Sequence, residues 1–204
     1  MKRKALIAIA ALIPLVMIGI ALLSLPEPDF EVVSEADGYQ LRRYQPFQVA
    51  QTQVDGDFDG ATEPAFERLV GYIQGGNRGE RNLPMMAPVN QLQAADGSDG
   101  EWMVQFVMPK EYPKSYLPAP ADARVSLETI PGRLVAARRY SGGWSEARYR
   151  EHETALLQAL DSAGIRVVGA PVFARYNAPF VPGFLRRNEV LVEVAGDSAA
   201  SGDD

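Results

Sequence analysis

The sequence predicts an α+β domain: a duplicated strand-strand-helix-strand unit forming a distorted antiparallel barrel of about eight strands with two helices. Three observations predict it. The same order of strand, strand, helix and final strand recurs over residues 39–109 and 125–194. Residue matches follow that order with nearly constant offset: Val49-Ala50 with Val135-Ala136, Gly56-Asp57-Phe58 with Gly142-Gly143-Trp144, and Ala87-Pro88-Val89 with Ala170-Pro171-Val172. Between the two runs lies a proline-rich connector, EYPKSYLPAPAD, from Glu111 to Asp122. Such self-similarity marks a repeated supersecondary unit. Neither half is long enough to cover both faces of its own sheet, so the halves should pack about a pseudo-twofold axis. The groove between them is a natural place for a pocket.

The elements follow in order. Lys2-Arg3-Lys4 precedes Ala5 to Leu25, 21 residues without a charge. A helix of that length spans a bilayer's apolar core of about 30 Å. Its exit, ALLSLPEP, is a poor cleavage site. Residues 1–25 are therefore read as an uncleaved membrane anchor, with a cleaved signal peptide and secretion as the alternative. The leading basic residues should stay inside, placing the domain at 26–195 on the outer, periplasmic or extracytoplasmic side.

Strand patterns follow at FEVV, YQLRRY (Tyr39 to Tyr44) and FQVAQTQV (Phe47 to Val54). Ala61 to Ile73 reads as a helix: Phe66, Leu69, Val70 and Ile73 share a face, Pro64 suits a first turn and Gly75-Gly76 ends it. A loop, NRGERNLPMMAPV, and a turn at Ala95 to Gly100 lead to the strand WMVQFVM. After the connector come VSLETI, LVAARRY (Leu134 to Tyr140), an amphipathic helix from Ser145 to Ala163, a loop, and the strand EVLVEV. The tail from 196 to 204, small and acidic, is expected to be disordered.

Composition narrows the chemistry. With no cysteine there is no disulfide framework, thiolate metal site or cysteine nucleophile. The one histidine, His152, excludes a multi-histidine metal site. Setting aside Lys2, Arg3 and Lys4, 17 basic residues face 26 acidic ones, which argues against nucleic acid as a partner. No phosphate loop is present, and His152 sits mid-helix between Glu151 and Glu153, which face away from it, so no triad forms. The densest signal is YNAPFVPGFLRRNEV, Tyr176 to Val190: three aromatics, two prolines and a glycine in nine residues, then two arginines. Its prolines exclude helix and mid-sheet, so its aromatics should pack over the core or over a ligand.

That segment resembles the SOUL haem-binding protein family. So do GYQLRRY (Gly38 to Tyr44), FERLVGYIQGGN (Phe66 to Asn77), LPMMAPV (Leu83 to Val89) and QFVMPKEYPKSYLPAPAD (Gln105 to Asp122). Two positions depart from the family pattern. Met86 stands where threonine is usual, and Ala178-Pro179-Phe180 stands where two prolines and a tryptophan are usual. The resemblance implies a duplicated antiparallel barrel that binds haem or another tetrapyrrole through an apolar groove, without catalysis. Macrocycle faces would then lie against Met85, Met86, Tyr176, Phe180 and Phe184. Propionates would seek Arg186, Arg187, Arg42 or Arg43 by charge-assisted bonds. His152 is the one histidine available as an iron ligand, but its side of the helix is needed against the sheet, so no metal ligand is assigned. The rival reading is a domain of the same fold that takes another flat apolar molecule or a protein partner; hydrolysis of a small ester or lipid is a distant third.

Overall fold

The computed structural model describes residues 25–94 and 100–196. All but Leu25 of the expected anchor, most of the turn at 95–100 and most of the acidic tail lie outside them. Among the described residues, no helix is long and apolar enough to cross a membrane.

The described residues form nine strands and two α-helices: β1 (Phe30–Ala36), β2 (Tyr39–Tyr44), β3 (Phe47–Asp55), α1 (Thr62–Ile73), β4 (Val89–Gln93), β5 (Glu101–Val107), β6 (Val125–Ile130), β7 (Arg133–Tyr140), α2 (Glu146–Ser162), β8 (Val172–Arg175) and β9 (Asn188–Glu193). The strands form one sheet in the order β1-β2-β7-β9-β8-β4-β5-β3-β6, and every pairing is antiparallel. The barrel expected from the sequence does not close. β1 and β6 are free edges, and the ninth strand is β1, folded onto β2 through a tight turn at Gly38, whose φ of +86° suits a residue without Cβ.

The strand order has an internal symmetry. Exchanging β2 with β6, β3 with β7, β4 with β8 and β5 with β9 returns the order from β2 to β6 reversed. The centre of that exchange is the β4–β8 pair.

Both helices pack on one face of the sheet. Leu69 and Tyr72 of α1, Leu156 and Leu160 of α2, and Phe58, Phe106, Phe173 and Val190 share one buried cluster. Its centre is aromatic: Phe58 stacks on Tyr149 and Phe173 at 5.4 and 5.5 Å between centroids and meets Trp102 edge-on at 5.3 Å. Burial of these side chains is the main force holding the helices to the sheet, at roughly 1.5–3 kcal/mol for each large side chain.

The opposite face is partly covered by the chain entering the domain. Leu25 packs beside Ala87, Ala174 and Tyr176, and the Ala87 N–H donates to the Pro26 carbonyl at 2.8 Å. The Gln45 N–H donates to the Asp29 carbonyl at 3.1 Å, and Glu27 pairs with Arg187 at 2.7 Å. Residues 25–29 thus form a strap across the sheet.

Candidate functional site

Val89 at the start of β4 and Arg175 at the end of β8 are register partners. The chain entering β4 and the chain leaving β8 therefore lie side by side. Together with the first turn of α1 and with Trp144 just before α2, they enclose a cavity of about 490 Å³, within the range of small-molecule sites, roughly 300–1,000 Å³. Phe66, Met85, Met86, Val89, Trp144 and Tyr176 give it apolar walls, and Leu25 of the strap closes one side. Asp59, Thr62, Glu63, Arg175 and Asn177 supply polar groups. Trp144 is held in place from both sides: its Nε1 donates to Asn188 Oδ1 at 2.8 Å, and the Arg186 guanidinium lies 4.3 Å from its ring centre.

Arg175 is the unusual group in this wall. It is only 7% exposed, and among the described residues it forms no ion pair. Its Nη2 donates to Thr62 Oγ1 at 3.1 Å and to Gln91 Oε1, while Nε is buried without an acceptor. Gln91 is itself fixed, since its Nε2 donates to the Phe58 carbonyl at 2.8 Å. The guanidinium is flanked by the rings of Phe173, Trp144 and Phe58 at 4.8, 5.4 and 5.9 Å. Burial pulls its pKa down to about 10.

On the other face of the sheet lies a fully paired network. Glu189, with no exposure, accepts from Arg42 through both oxygens at 2.6 and 3.1 Å, from Arg187 Nε at 2.9 Å and from the Tyr176 hydroxyl at 2.9 Å. Arg187 also lies 3.7 Å from the Tyr176 ring centre. Burial pushes the Glu189 carboxyl up, but the bonds and charges of Arg42 and Arg187 more than offset this and hold it below its ordinary 4.5. Burial likewise pushes the Tyr176 hydroxyl well above its ordinary value, and the neighbouring Glu189 charge adds to that. Tyr176 connects the two regions: its ring lines the cavity while its hydroxyl joins the network.

The residues singled out from sequence separate into distinct places. Met85, Met86 and Tyr176 meet in the cavity wall. Phe180 and Phe184, at 75% and 78% exposure, lie outside it on the loop that continues from Pro179. Arg42 and Arg187 are committed to Glu189. Arg186 donates to the Val181 and Pro179 carbonyls, which shapes that loop, and Arg43 points to solvent. His152 stacks on Tyr140 at 3.9 Å between centroids, 21° from parallel. Its Nδ1 faces Arg138 Nε at 3.5 Å, and it takes no part in the cavity wall. Sequence reasoning missed Arg175, Trp144 and Phe66. A signal for Arg175 was present, since a charge ends the short run VFAR just before the aromatic segment at Tyr176.

The arrangement defines a class: an open antiparallel sheet backed by two helices, with a preformed apolar pocket at the central strand pair, built for binding a small molecule. A family model described as "SOUL heme-binding protein" matches residues 25–193. The chain belongs to that family. Heme-binding protein 2 of Homo sapiens is 30% identical over 158 residues, covering 74% of this chain and 76% of the relative. Its Mus musculus counterpart is 28% identical over 156 residues, covering 74% and 75%. Among solved structures, the EcmrR C-terminal domain is similar with a TM-score of 0.58 at 12% identity, covering 77% of this chain and 96% of that one. A Listeria innocua hydrolase is similar with a TM-score of 0.54 at 12% identity, covering 80% and 94%. At such identities these two report a shared fold and nothing about shared chemistry.

Proposed function

We propose that this protein binds haem or a related tetrapyrrole in the cavity beside β4 and β8, as a binding protein without catalysis of its own. The observation that carries the reading is the convergence of two family-like segments, LPMMAPV and YNAP, on one apolar cavity of about 490 Å³. Met85, Met86, Phe66, Trp144 and Tyr176 offer soft and aromatic surface of the kind that covers a macrocycle face. A bound haem would supply an iron centre, and Met85 and Met86 would be the soft donors that this wall could offer it. The single histidine is occupied elsewhere, so the pocket recognises the macrocycle more than its metal. It follows that metal-free protoporphyrin should bind within about threefold of haemin, less than 1 kcal/mol apart. A difference of a hundredfold in favour of haemin, measured by fluorescence and absorbance titration, would require strong axial ligation and sink this point.

The same reading has the protein tethered to a membrane by residues 5–25, with the domain on the outer side. The uncharged run supports it. So does the position of Leu25, the last residue of that run, in the cavity wall. An anchor ending there would hold the pocket near the bilayer surface, where the exposed Phe180, Phe184 and Leu185 would supply apolar contact with the interface. The full-length protein should then resist carbonate extraction, and external protease should reach the domain. A mature N-terminus near Pro26 would remove the anchor.

A further inference from the structure

Among the described residues, the cavity holds a buried cation with no ion pair, on which the Asp59 carboxylate at the rim acts only at a distance. A buried guanidinium is costly unless it is paired, and one left unpaired is among the more destabilising things a core can contain. Elsewhere in this chain the rule is kept: Arg42, buried to a similar degree, has both oxygens of Glu189. Arg175 has two neutral oxygens, from Thr62 and Gln91, both accepting from the same Nη2. Nε has none, and among the described residues Nη1 has none either. Three aromatic rings offset part of the cost. The two carboxylates nearest the cavity, Asp59 and Glu63, stand exposed at its rim and form no ion pair with Arg175. A planar fork with spare N–H groups, in a largely apolar wall, is complementary to one class of group, a carboxylate or a similar planar anion. The first turn of α1, which also lines the cavity through Thr62 and Glu63, brings the positive end of a 12-residue helix to the same place.

We propose that Arg175 is the anion receptor of this pocket, so that its ligand is flat and apolar but carries at least one carboxylate, which Arg175 receives on entry. This rests on the cavity being the binding site, as proposed above, and it gives that site a charge preference. It also moves the receptor from Arg42, Arg43, Arg186 and Arg187 to a residue at the end of β8. Thr62 and Gln91 then act as positioning residues that hold the fork open.

The test uses the full-length chain in detergent, titrated with two matched pairs: haemin against its dimethyl ester, and 1-pyrenebutyrate against 1-pyrenebutanol. For each ligand that binds, wild type should prefer the acid by tenfold or more. Arg175→Met should bring the acid down to the affinity of its neutral partner while leaving that partner within about threefold. Arg175→Lys, which keeps the charge but loses the fork, should retain only part of the preference. If Arg175→Met does not fold, the wild-type preference together with Arg175→Lys decides. Binding of pyrenebutyrate with this dependence while haemin fails to bind would refute the tetrapyrrole reading and leave Arg175 as the receptor. Equal affinity for acid and neutral partner in wild type, a preference that survives Arg175→Met, or no binding of either acid would overturn the proposal.

Discussion

Glu189 illustrates how a single buried residue sets conditions for its surroundings. Its carboxylate has two arginines and a tyrosine on it and no exposed surface. Replacing it with glutamine removes the charge but not the cations: Arg42 then stays buried without a counter-ion, while the half-buried Arg187 keeps only Glu27. Glu189→Gln should therefore cost about 3–5 kcal/mol, read by urea denaturation. The sign of the pH dependence follows from the pKa directions. Glu189 is held below its ordinary 4.5 by Arg42 and Arg187 against the opposing effect of burial. His152 is held below its ordinary 6.5, chiefly by burial and then by Arg138. In both cases the unfolded chain binds more protons than the native one, so stability is full above those ordinary values and falls as the pH drops through them. A denaturation midpoint that rises on acidification from pH 7 to pH 4 would contradict this. At the residue scale the sequence made Met85, Met86 and Tyr176 legible, because their motifs keep neighbours together. It did not reveal that Arg42 belongs to Glu189, 147 positions away. No local pattern announces the partner of a charge, so arginines that are structural read from sequence as ligand groups.

At the scale of elements, the helices were legible almost to the residue. The helical spacing with Pro64 and Gly75 predicted residues 61–73, and α1 runs Thr62–Ile73; residues 145–163 contain α2. β4 and β8 were not. VNQLQ places Asn90 and Gln91 in buried positions, and all four residues of VFAR are buried. Central strands covered on both faces lose the alternation that marks a strand, and these two form the floor on which the cavity stands. The loop from Ala178 to Leu185 was also read differently from its structure. Its aromatics suggested ligand contact, yet Phe180 and Phe184 project outward because Arg186 holds the Pro179 and Val181 carbonyls. Serine at both positions should leave haemin affinity in detergent within about threefold. The same double change should weaken association of the protein, cut back to begin at Leu25, with lipid vesicles. Loss of haemin binding together with an intact fold would return these rings to the site.

For the whole molecule, the symmetric strand order supports duplication as the origin of the fold, while the site itself is asymmetric. Only one end of the β4–β8 pair carries Met85, Met86 and Arg175. The strap of residues 25–29 breaks the symmetry further, because it reaches the cavity at Leu25. One haem-sized site per chain is the expected consequence. The most direct test is a haemin titration of the full-length protein, followed by the Soret band, with Met85→Asp and His152→Ala measured alongside. The account predicts saturation at one haemin per chain. Met85→Asp should lose tenfold or more in affinity, since it puts a charge into an apolar wall. His152→Ala should change affinity by less than about threefold while costing roughly 1–2 kcal/mol of stability through lost stacking. Tenfold loss on His152→Ala with the fold intact, and none on Met85→Asp, would contradict it and place the haem at the histidine instead of beside β4 and β8.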